Sequence, residues 1–488
     1  MSAVSAYGRA IAVVDGAAQP ITTVAHVHVA ARPLVFVPLA LAGEANAPLA
    51  AMVGTDPSAP RLLIVPQPRD RGLRFGFAAE LADVVLAYLD EFPVAEGEEP
   101  TAEDAPQIWV PNAAGLGFLR LFGRSTRFRR TTGQYPVAPG VPVLGRWLTW
   151  FAERSEYPGA STLLAATEVL AAHWATGQSA LEDANLAALL GWIDPPPGRS
   201  PREAARDAED PLLSPPAGPS TDPSFDNEIL APAIAAYGAA PDGSAVQERA
   251  RTNLENALRS QTRPTWDLIW RAIELLRGLT PGASVAGRWA VDRRRFAGFH
   301  QWLAEDGPPQ ARRDGAVAAA RRLLALEWAQ HEYTVSRSFD DPLVMADFRV
   351  TGEAFRGTVV ELDPERRVEN ENGNLVKRPR VVVRTEDPVQ LAPGTAVGSP
   401  VRPKQFGRIL EITDGLVTLE LDKGIRPAKG GSVLDVLPRV GDELTYTSVL
   451  SSGNRGPALP SPEDTPWTHG GPPEPYVPTD EDAVEAWE

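Results

Sequence analysis

The sequence contains no cysteine and very little lysine, and both shortages narrow the range of possible functions. Without cysteine there is no disulfide framework, thiolate nucleophile, cysteine-zinc site or iron–sulfur cluster. The only lysines are Lys377, Lys404, Lys423 and Lys429, and none of them follows a glycine. Because a Walker A loop needs a Gly-Lys-Ser/Thr run to hold nucleotide phosphates, a standard P-loop ATPase is excluded.

Long apolar runs are also missing, since no stretch approaches the roughly 20 residues that a membrane span needs. Residues 1–16 lack the basic and apolar regions of a signal peptide. We therefore expect a cytoplasmic protein that makes no membrane contact. Acidic residues number 63 against 47 basic ones, which gives a net charge of −16. A polyanionic partner would have to be recognised by a local basic surface.

The 488 residues are enough for about three domains. Short apolar runs in the first part predict strands at residues 9–14, 22–29, 33–38, 61–66 and 107–110, with a helix at 75–92. The whole pattern predicts an α+β multidomain protein. Its expected parts are a mixed α/β N-terminal domain (1–135), a helical segment (136–193), a Pro-rich linker or extended strap (194–225), a helical domain (226–338), a small C-terminal β-barrel (339–450) and a disordered acidic tail (451–488).

Within the helical domain, helices are expected at residues 245–259, 265–279 and 312–337. Ser244 and Gln247 have the spacing of a capping box at the first of these helices. After residue 339 the hydrophobic period changes to that of strands. Asp414 and Gly415 lie between two such strands and predict a tight hairpin, because both residues tolerate positive φ. Frequent glycine and proline between short strands favours a closed barrel.

One part of the chain has a family resemblance, carried by residues 355–360, 394–398, 406–412 and 417–421. With these segments, residues 310–450 resemble the stalk and accessory β-barrel of superfamily 1 helicases of the up-frameshift type. In that family an antiparallel helical stalk leads into a small barrel that sits over the nucleic acid. No motor motifs accompany the segments, so the resemblance implies a detached accessory part rather than the motor.

A basic and aromatic cluster between residues 118 and 130 is the first candidate binding surface. Its candidate nucleic-acid-binding residues are Arg120, Arg124, Arg127, Phe128, Arg129 and Arg130. Arginine pairs bidentately with phosphate, and phenylalanine stacks on bases, so this mixture suits a single-stranded nucleic acid. The alternative is a solvated face whose arginines pair with acids from another domain.

A second basic group comprises Arg288, Arg293, Arg294 and Arg295, of which the last three are candidate nucleic-acid-binding residues. The aromatic residues near it are Trp289, Phe296 and Phe299, and the arginines that follow in sequence are Arg312, Arg313, Arg321 and Arg322. On helices these arginines could face a groove or another subunit. The alternative is a set of amphipathic helices whose arginine stems cover apolar surface.

Residues that could carry catalysis or bind a metal are less evident in the sequence than residues that could bind a polyanion. His26 and His28 would share one face of a strand, but no neighbour in the sequence supplies a third metal ligand. Glu182 lies three residues after Ser179, and this spacing predicts a capping box rather than an acid/base group. We therefore predict no catalytic residues, no metal and no cofactor.

Together these patterns favour a non-catalytic accessory subunit of a bacterial complex, with anti-phage defence as one setting. It would bind nucleic acid, preferably single-stranded, and a partner protein such as a separate helicase or ATPase. Binding should weaken steeply with salt. Two alternatives stay open: a protein–protein scaffold without nucleic-acid contact, and an enzyme with an unrecognised site in the N-terminal domain.

Overall fold

The computed structural model describes residues 2–44, 47–95, 97–370, 372–427, 436–451 and 458–459. Within these ranges the chain is an α+β protein with a layered α/β part, a run of long helices and a closed six-stranded β-barrel. The predicted fold class is therefore confirmed. None of the described helices combines the length and the apolar character that crossing a membrane requires.

The secondary structure elements follow one another in a mixed order in the first half. The helices are α1 (Ala3–Asp15), α2 (Arg71–Leu89), α3 (Ala113–Thr126), α4 (Gly140–Arg154), α5 (Ala166–Ala171), α6 (Leu186–Ile193), α7 (Pro201–Glu209), α8 (Pro223–Phe225), α9 (Ala231–Ala239), α10 (Ala245–Arg277), α11 (Val285–Ala304), α12 (Ala316–Asp340) and α13 (Pro342–Val350). The strands are β1 (Gln19–Pro20), β2 (Leu34–Ala40), β3 (Pro48–Gly54), β4 (Arg61–Ile64), β5 (Val94–Ala95), β6 (Thr101–Ala102), β7 (Ile108–Val110), β8 (Leu163–Ala165), β9 (Trp174–Ala175), β10 (Ala354–Asp363), β11 (Arg367–Glu369), β12 (Leu375–Lys377), β13 (Arg380–Thr385), β14 (Ala396–Gly398), β15 (Phe406–Thr413), β16 (Leu416–Lys423) and β17 (Glu443–Thr447).

A five-stranded sheet in the order β4-β3-β2-β7-β8 forms the centre of the first part. Strands β2, β7 and β8 are parallel, whereas β2, β3 and β4 pair antiparallel. Because side chains alternate along a strand, Leu34 and Phe36 pack towards α2, α3 and α4, and Val35 and Val37 pack towards α10. The sheet is thus covered by helices on both faces.

Helices α3 and α4 cross at close range, and glycine makes this approach possible. A Cβ atom at Gly145 would lie 2.4 Å from the backbone nitrogen of Arg127. A Cβ atom at Gly123 would lie 2.8 Å from the backbone nitrogen of Thr149. This crossing fixes the C-terminal half of α3, from which the first candidate arginine cluster extends.

Helix α10 is continuous over 33 residues and contains Pro264. The predicted break between residues 259 and 265 is therefore wrong. A proline inside a helix costs about 3 kcal/mol, but burial on both sides of it offsets that cost. Leu258 and Trp266, which flank Pro264, are completely buried. The side chain of Ser244 accepts a hydrogen bond from the backbone nitrogen of Gln247, which confirms this half of the predicted capping box; the Gln247 side chain accepts from Gly243 instead of Ser244.

Two strands predicted near the start of the chain are wrong. Residues 9–14 belong to helix α1, which begins after the cap Ser2. Residues 22–29 do not form a regular strand: several of their backbone N–H groups bond distant side chains, and Ala25 makes an isolated β-bridge with Pro281. Thr23 bonds Asp341, and His26 bonds His173. The predicted helical segment 136–193 also contains the short strands β8 and β9.

The Pro-rich segment 194–225 packs on the body of the protein. It contains α7, which begins with a complete capping box between Ser200 and Glu203. Three alanines of this segment, Ala204, Ala205 and Ala208, are buried, and two of them pack with Trp192 of α6. Helix α7 therefore adds to the fold instead of spanning free solvent.

The barrel closes in the order β10-β13-β16-β15-β14-β17. Its core is formed by inward-facing side chains that include Phe355, Val383 and Tyr446. Asp414 has φ 48° and Gly415 has φ 75°, which confirms the predicted hairpin. The predicted tail 451–488 lies outside the described residues, apart from residues 451, 458 and 459.

Candidate nucleic-acid interface

Helices α11 and α12 run antiparallel, and polar contacts join them at one end. The backbone nitrogen of Ser284 donates to the carboxylate of Asp340 at 3.0 and 3.1 Å. One turn further along, Arg288 donates to the hydroxyl of Ser336 at 2.9 Å. Beyond these contacts the two helices border a cavity of about 630 Å³, which we call the arginine groove.

One stripe of side chains from each helix lines the arginine groove. The lining residues are Val291, Arg294 and Arg295 of α11, Arg321, Leu324, Ala325 and Trp328 of α12, and Leu459. Residues three, four or seven positions apart in a helix lie on the same face. The spacings within α11 and within α12 are of this kind, so each helix presents one coherent face to the groove.

Three guanidinium groups in the arginine groove have no hydrogen bond or ion pair with any described residue. They belong to Arg294, Arg295 and Arg321, and all three side chains are exposed. Their neighbours are bonded: Arg293 donates to the carbonyl of Glu103, and Arg322 pairs with Glu156 and, at 3.5 Å, with Asp314. The groove therefore concentrates three positive charges that the surrounding described residues leave unneutralised.

The aromatic surface of the groove comes from Trp328, which is 37 % exposed. The aromatic residues nearest the second arginine group in the sequence are instead Trp289, Phe296 and Phe299. Trp289 and Phe296 are buried in the core against the central sheet, and Phe299 packs on that core. A signal for Trp328 was present, because it lies seven residues after Arg321 on the same helix.

The first predicted cluster has a different environment. Arg120 forms an ion pair with Glu156 at 2.9 Å, and the same carboxylate bonds Arg322 of α12. Arg124 is exposed and donates to the carbonyl of Arg312 at 3.4 Å. The carboxylate of Glu156 thus joins the cluster around Arg120 to the arginines of α12, which are far from it in the sequence.

Arg127 is the most buried member of this cluster, with only 3 % of its surface exposed. Its Nε donates to the carbonyl of Gln310 at 2.8 Å, and its Nη2 donates to the carbonyl of Ala311 at 3.1 Å. These bonds hold the loop between α11 and α12 against α3. The geometry gives Arg127 a structural contact, and it does not face a ligand surface.

The remaining members surround aromatic rings. Phe128 is half-buried, with the guanidinium of Arg127 at 4.6 Å and that of Arg312 at 5.8 Å from its ring centre. Arg129 donates to the carbonyl of Ser125 at 3.0 Å and lies 5.3 Å from the ring centre of Phe75. Arg130 is exposed at the end of this group.

The two histidines near the start of the chain, His26 and His28, make structural contacts inside the fold. His26 is 1 % exposed, and its Nε2 lies 3.3 Å from a carboxylate oxygen of Asp341. His28 stacks on Trp289 at 4.1 Å between ring centres. Across the described ranges no three histidine, aspartate or glutamate side chains are grouped so that they could hold a metal ion.

Asp341 receives several hydrogen bonds. Burial raises the pKa of its carboxyl, but the close contact with the His26 imidazole and hydrogen bonds from Thr23 and from the backbone nitrogen of Leu343 outweigh burial and lower that pKa to about 2. The backbone nitrogen of Thr23 donates at 2.8 Å, and that of Leu343 donates at 2.9 Å as the cap of α13. Asp341 therefore joins the start of the chain to the helix that precedes the barrel.

No protein family, curated protein or solved structure matches the chain. The function is therefore inferred from the chemistry of the site.

Proposed function

We propose that the chain binds single-stranded nucleic acid in the arginine groove. The observation that supports this proposal is the convergence of Arg294, Arg295 and Arg321 on one cavity, where no described residue neutralises them. Phosphates are the natural partners of such a group, since arginine forms charge-assisted, bidentate hydrogen bonds with them. The cavity also lies within the usual size range of ligand sites, about 300–1,000 Å³.

The apolar part of the groove suits unpaired bases. Trp328 and Leu324 line the groove from the same face of α12 as Arg321. Stacking of a base on an aromatic side chain contributes about 1–3 kcal/mol, and it needs a base that is free of a duplex stack. A single-stranded nucleic acid therefore fits the groove best, since its phosphates can bind the arginines while its unpaired bases stack on the aromatic surface.

The net charge of −16 does not oppose this proposal. Exposed charges further apart than about 8–10 Å are largely screened at physiological ionic strength, so the groove acts through its own arginines. The partner protein and the separate helicase expected from the sequence remain predictions, as does the resemblance of residues 310–450.

The test is binding of a fluorescent oligo-dT or oligo-U of about 20 nucleotides at several salt concentrations. Changing Arg294, Arg295 and Arg321 together to alanine should weaken binding at least tenfold. Because each phosphate contact on a single strand contributes about 0.7 to the slope of log affinity against log salt, that slope should fall by about 2.

A matched control changes Arg249, Arg251 and Arg408 to alanine. These three arginines are also exposed and lie outside the groove lining, so the net charge changes equally. The control should bind like the unchanged chain. Equal affinity of the groove variant and the unchanged chain for the oligonucleotide would refute the proposal. If the chain binds a partner protein stably and binds no oligonucleotide, the scaffold alternative is favoured.

A further inference from the structure

Leu459 lines the arginine groove although it lies far from α11 and α12 in the sequence. Its side chain is half-buried there. Segment 460–488 follows directly after this residue in the sequence.

The composition of segment 460–488 is complementary to that of the groove. It contains eight acidic residues and neither lysine nor arginine: the acids are Glu463, Asp464, Glu474, Asp480, Glu481, Asp482, Glu485 and Glu488. It also contains the aromatic residues Trp467, Tyr476 and Trp487. Negative charge interspersed with flat rings is the same combination that a single-stranded nucleic acid presents.

We propose that segment 460–488 binds in the arginine groove and competes there with nucleic acid. This inference rests on the proposed function, since it assigns a regulator to the same site. The segment lowers the affinity for weak or short ligands, and a strand that contacts all three arginines displaces it. Selectivity arises because only a sufficiently long polyanion gains enough contacts to replace the attached competitor.

The size of the effect follows from effective concentration. A competitor on a short tether reaches an effective concentration on the order of 1 mM. If the free segment bound with a dissociation constant of about 0.1 mM, it would occupy the groove about ten times more often than leave it empty. Removing it should then strengthen nucleic-acid binding about tenfold.

The experiment compares the full chain with two altered chains in the oligonucleotide assay. One ends at Leu459, and the other keeps its full length but carries asparagine or glutamine in place of the eight acids. Both should bind about tenfold more tightly than the full chain. The second chain separates the loss of charge from the loss of length. Unchanged affinity in both would overturn the competition.

A second measurement keeps this inference distinct from the proposed function. A labelled peptide of residues 460–488 is titrated with the chain that ends at Leu459, with and without alanine at Arg294, Arg295 and Arg321. Binding that disappears in the arginine variant supports docking in the groove, even if oligonucleotides do not bind there. Absence of peptide binding refutes docking of the segment in the groove. The proposed function is tested separately, by the oligonucleotide affinity of the arginine variant.

Discussion

The imidazole of His173 accepts, through Nε2, a hydrogen bond from the backbone N–H of His26 at 3.0 Å. A backbone N–H can only donate, so Nε2 carries no proton and the proton lies on Nδ1. Nδ1 faces the carbonyl of Val169 at 2.7 Å, to which it donates. The neutral ring thus connects the irregular segment 22–29 to α5.

This arrangement predicts a pH dependence of stability. Burial lowers the pKa of His173 from 6.5 to about 4 in the folded chain. The unfolded chain therefore takes up the proton first as the pH falls. The contribution of the neutral ring to the free energy of unfolding is therefore complete above pH 6.5. It is lost as the pH falls towards 4, by about 3 kcal/mol in total.

Denaturant unfolding of the unchanged chain and of His173→Gln between these pH values checks the prediction. The difference in unfolding free energy between the two chains should shrink as the pH falls. Asp341 keeps its charge throughout this window, because its pKa is lowered to about 2. A difference that stays constant with pH would contradict the assignment.

Arg127→Met should destabilise the chain and loosen the loop between α11 and α12. The change removes two charge-assisted hydrogen bonds to the carbonyls of Gln310 and Ala311, for an expected loss of about 2–4 kcal/mol. Limited proteolysis should then cut between α11 and α12 more readily. Arg124→Met is the control: its exposed side chain makes one long contact, and its change should stay within about 0.5 kcal/mol.

Gly145→Ala should be destabilising, because the new methyl group would meet the backbone of Arg127 at 2.4 Å. Overpacking of this kind costs about 1–3 kcal/mol. Gly117→Ala is the matched control in α3, since nothing outside its own stretch of helix lies within 4 Å of the added carbon. It should stabilise the chain by about 0.5–1 kcal/mol. Thermal unfolding of both variants measures the contrast, and equal melting temperatures would contradict it.

Local signals in the sequence predicted those elements whose geometry is decided locally. The Asp414-Gly415 hairpin and the Ser244 cap follow from the conformations and hydrogen bonds that these residues favour. The box between Ser179 and Glu182 also forms: the backbone nitrogen of Ser179 donates to Glu182, and that of Glu182 donates to the Ser179 hydroxyl. None of these features depends on a distant residue.

Elements that depend on distant partners were predicted wrongly or missed. The short apolar run at residues 9–14 fits a strand as well as a helix, and only packing selects α1. Strand β3, Pro48–Gly54, is rich in small residues but is buried on both faces by the surrounding helices. Residues 22–29 alternate in polarity but do not form a regular strand. The side chains of His173, which follows α5, and of Asp341, at the end of α12, bond their backbone, and Ala25 makes an isolated bridge with Pro281.

The candidate site shows the same division. The stripe from Arg321 to Trp328 can be recognised from helical spacing alone. Its convergence with Arg294 and Arg295 depends on how α11 and α12 pair, and that pairing is set by Ser284 and Asp340 far from the groove. The burial of Arg127 depends on the loop between α11 and α12, which packs over it. The residues next to Arg127 in the sequence therefore do not predict that burial.

Two consecutive carboxylates at the end of α12, Asp340 and Asp341, bond two different helices. Asp340 holds the first residue before α11, and Asp341 holds the first turn of α13, from which the barrel emerges. Because the two carboxylates are adjacent in the chain, the contact that pairs α11 with α12 and the cap of the helix that leads into the barrel lie at one junction.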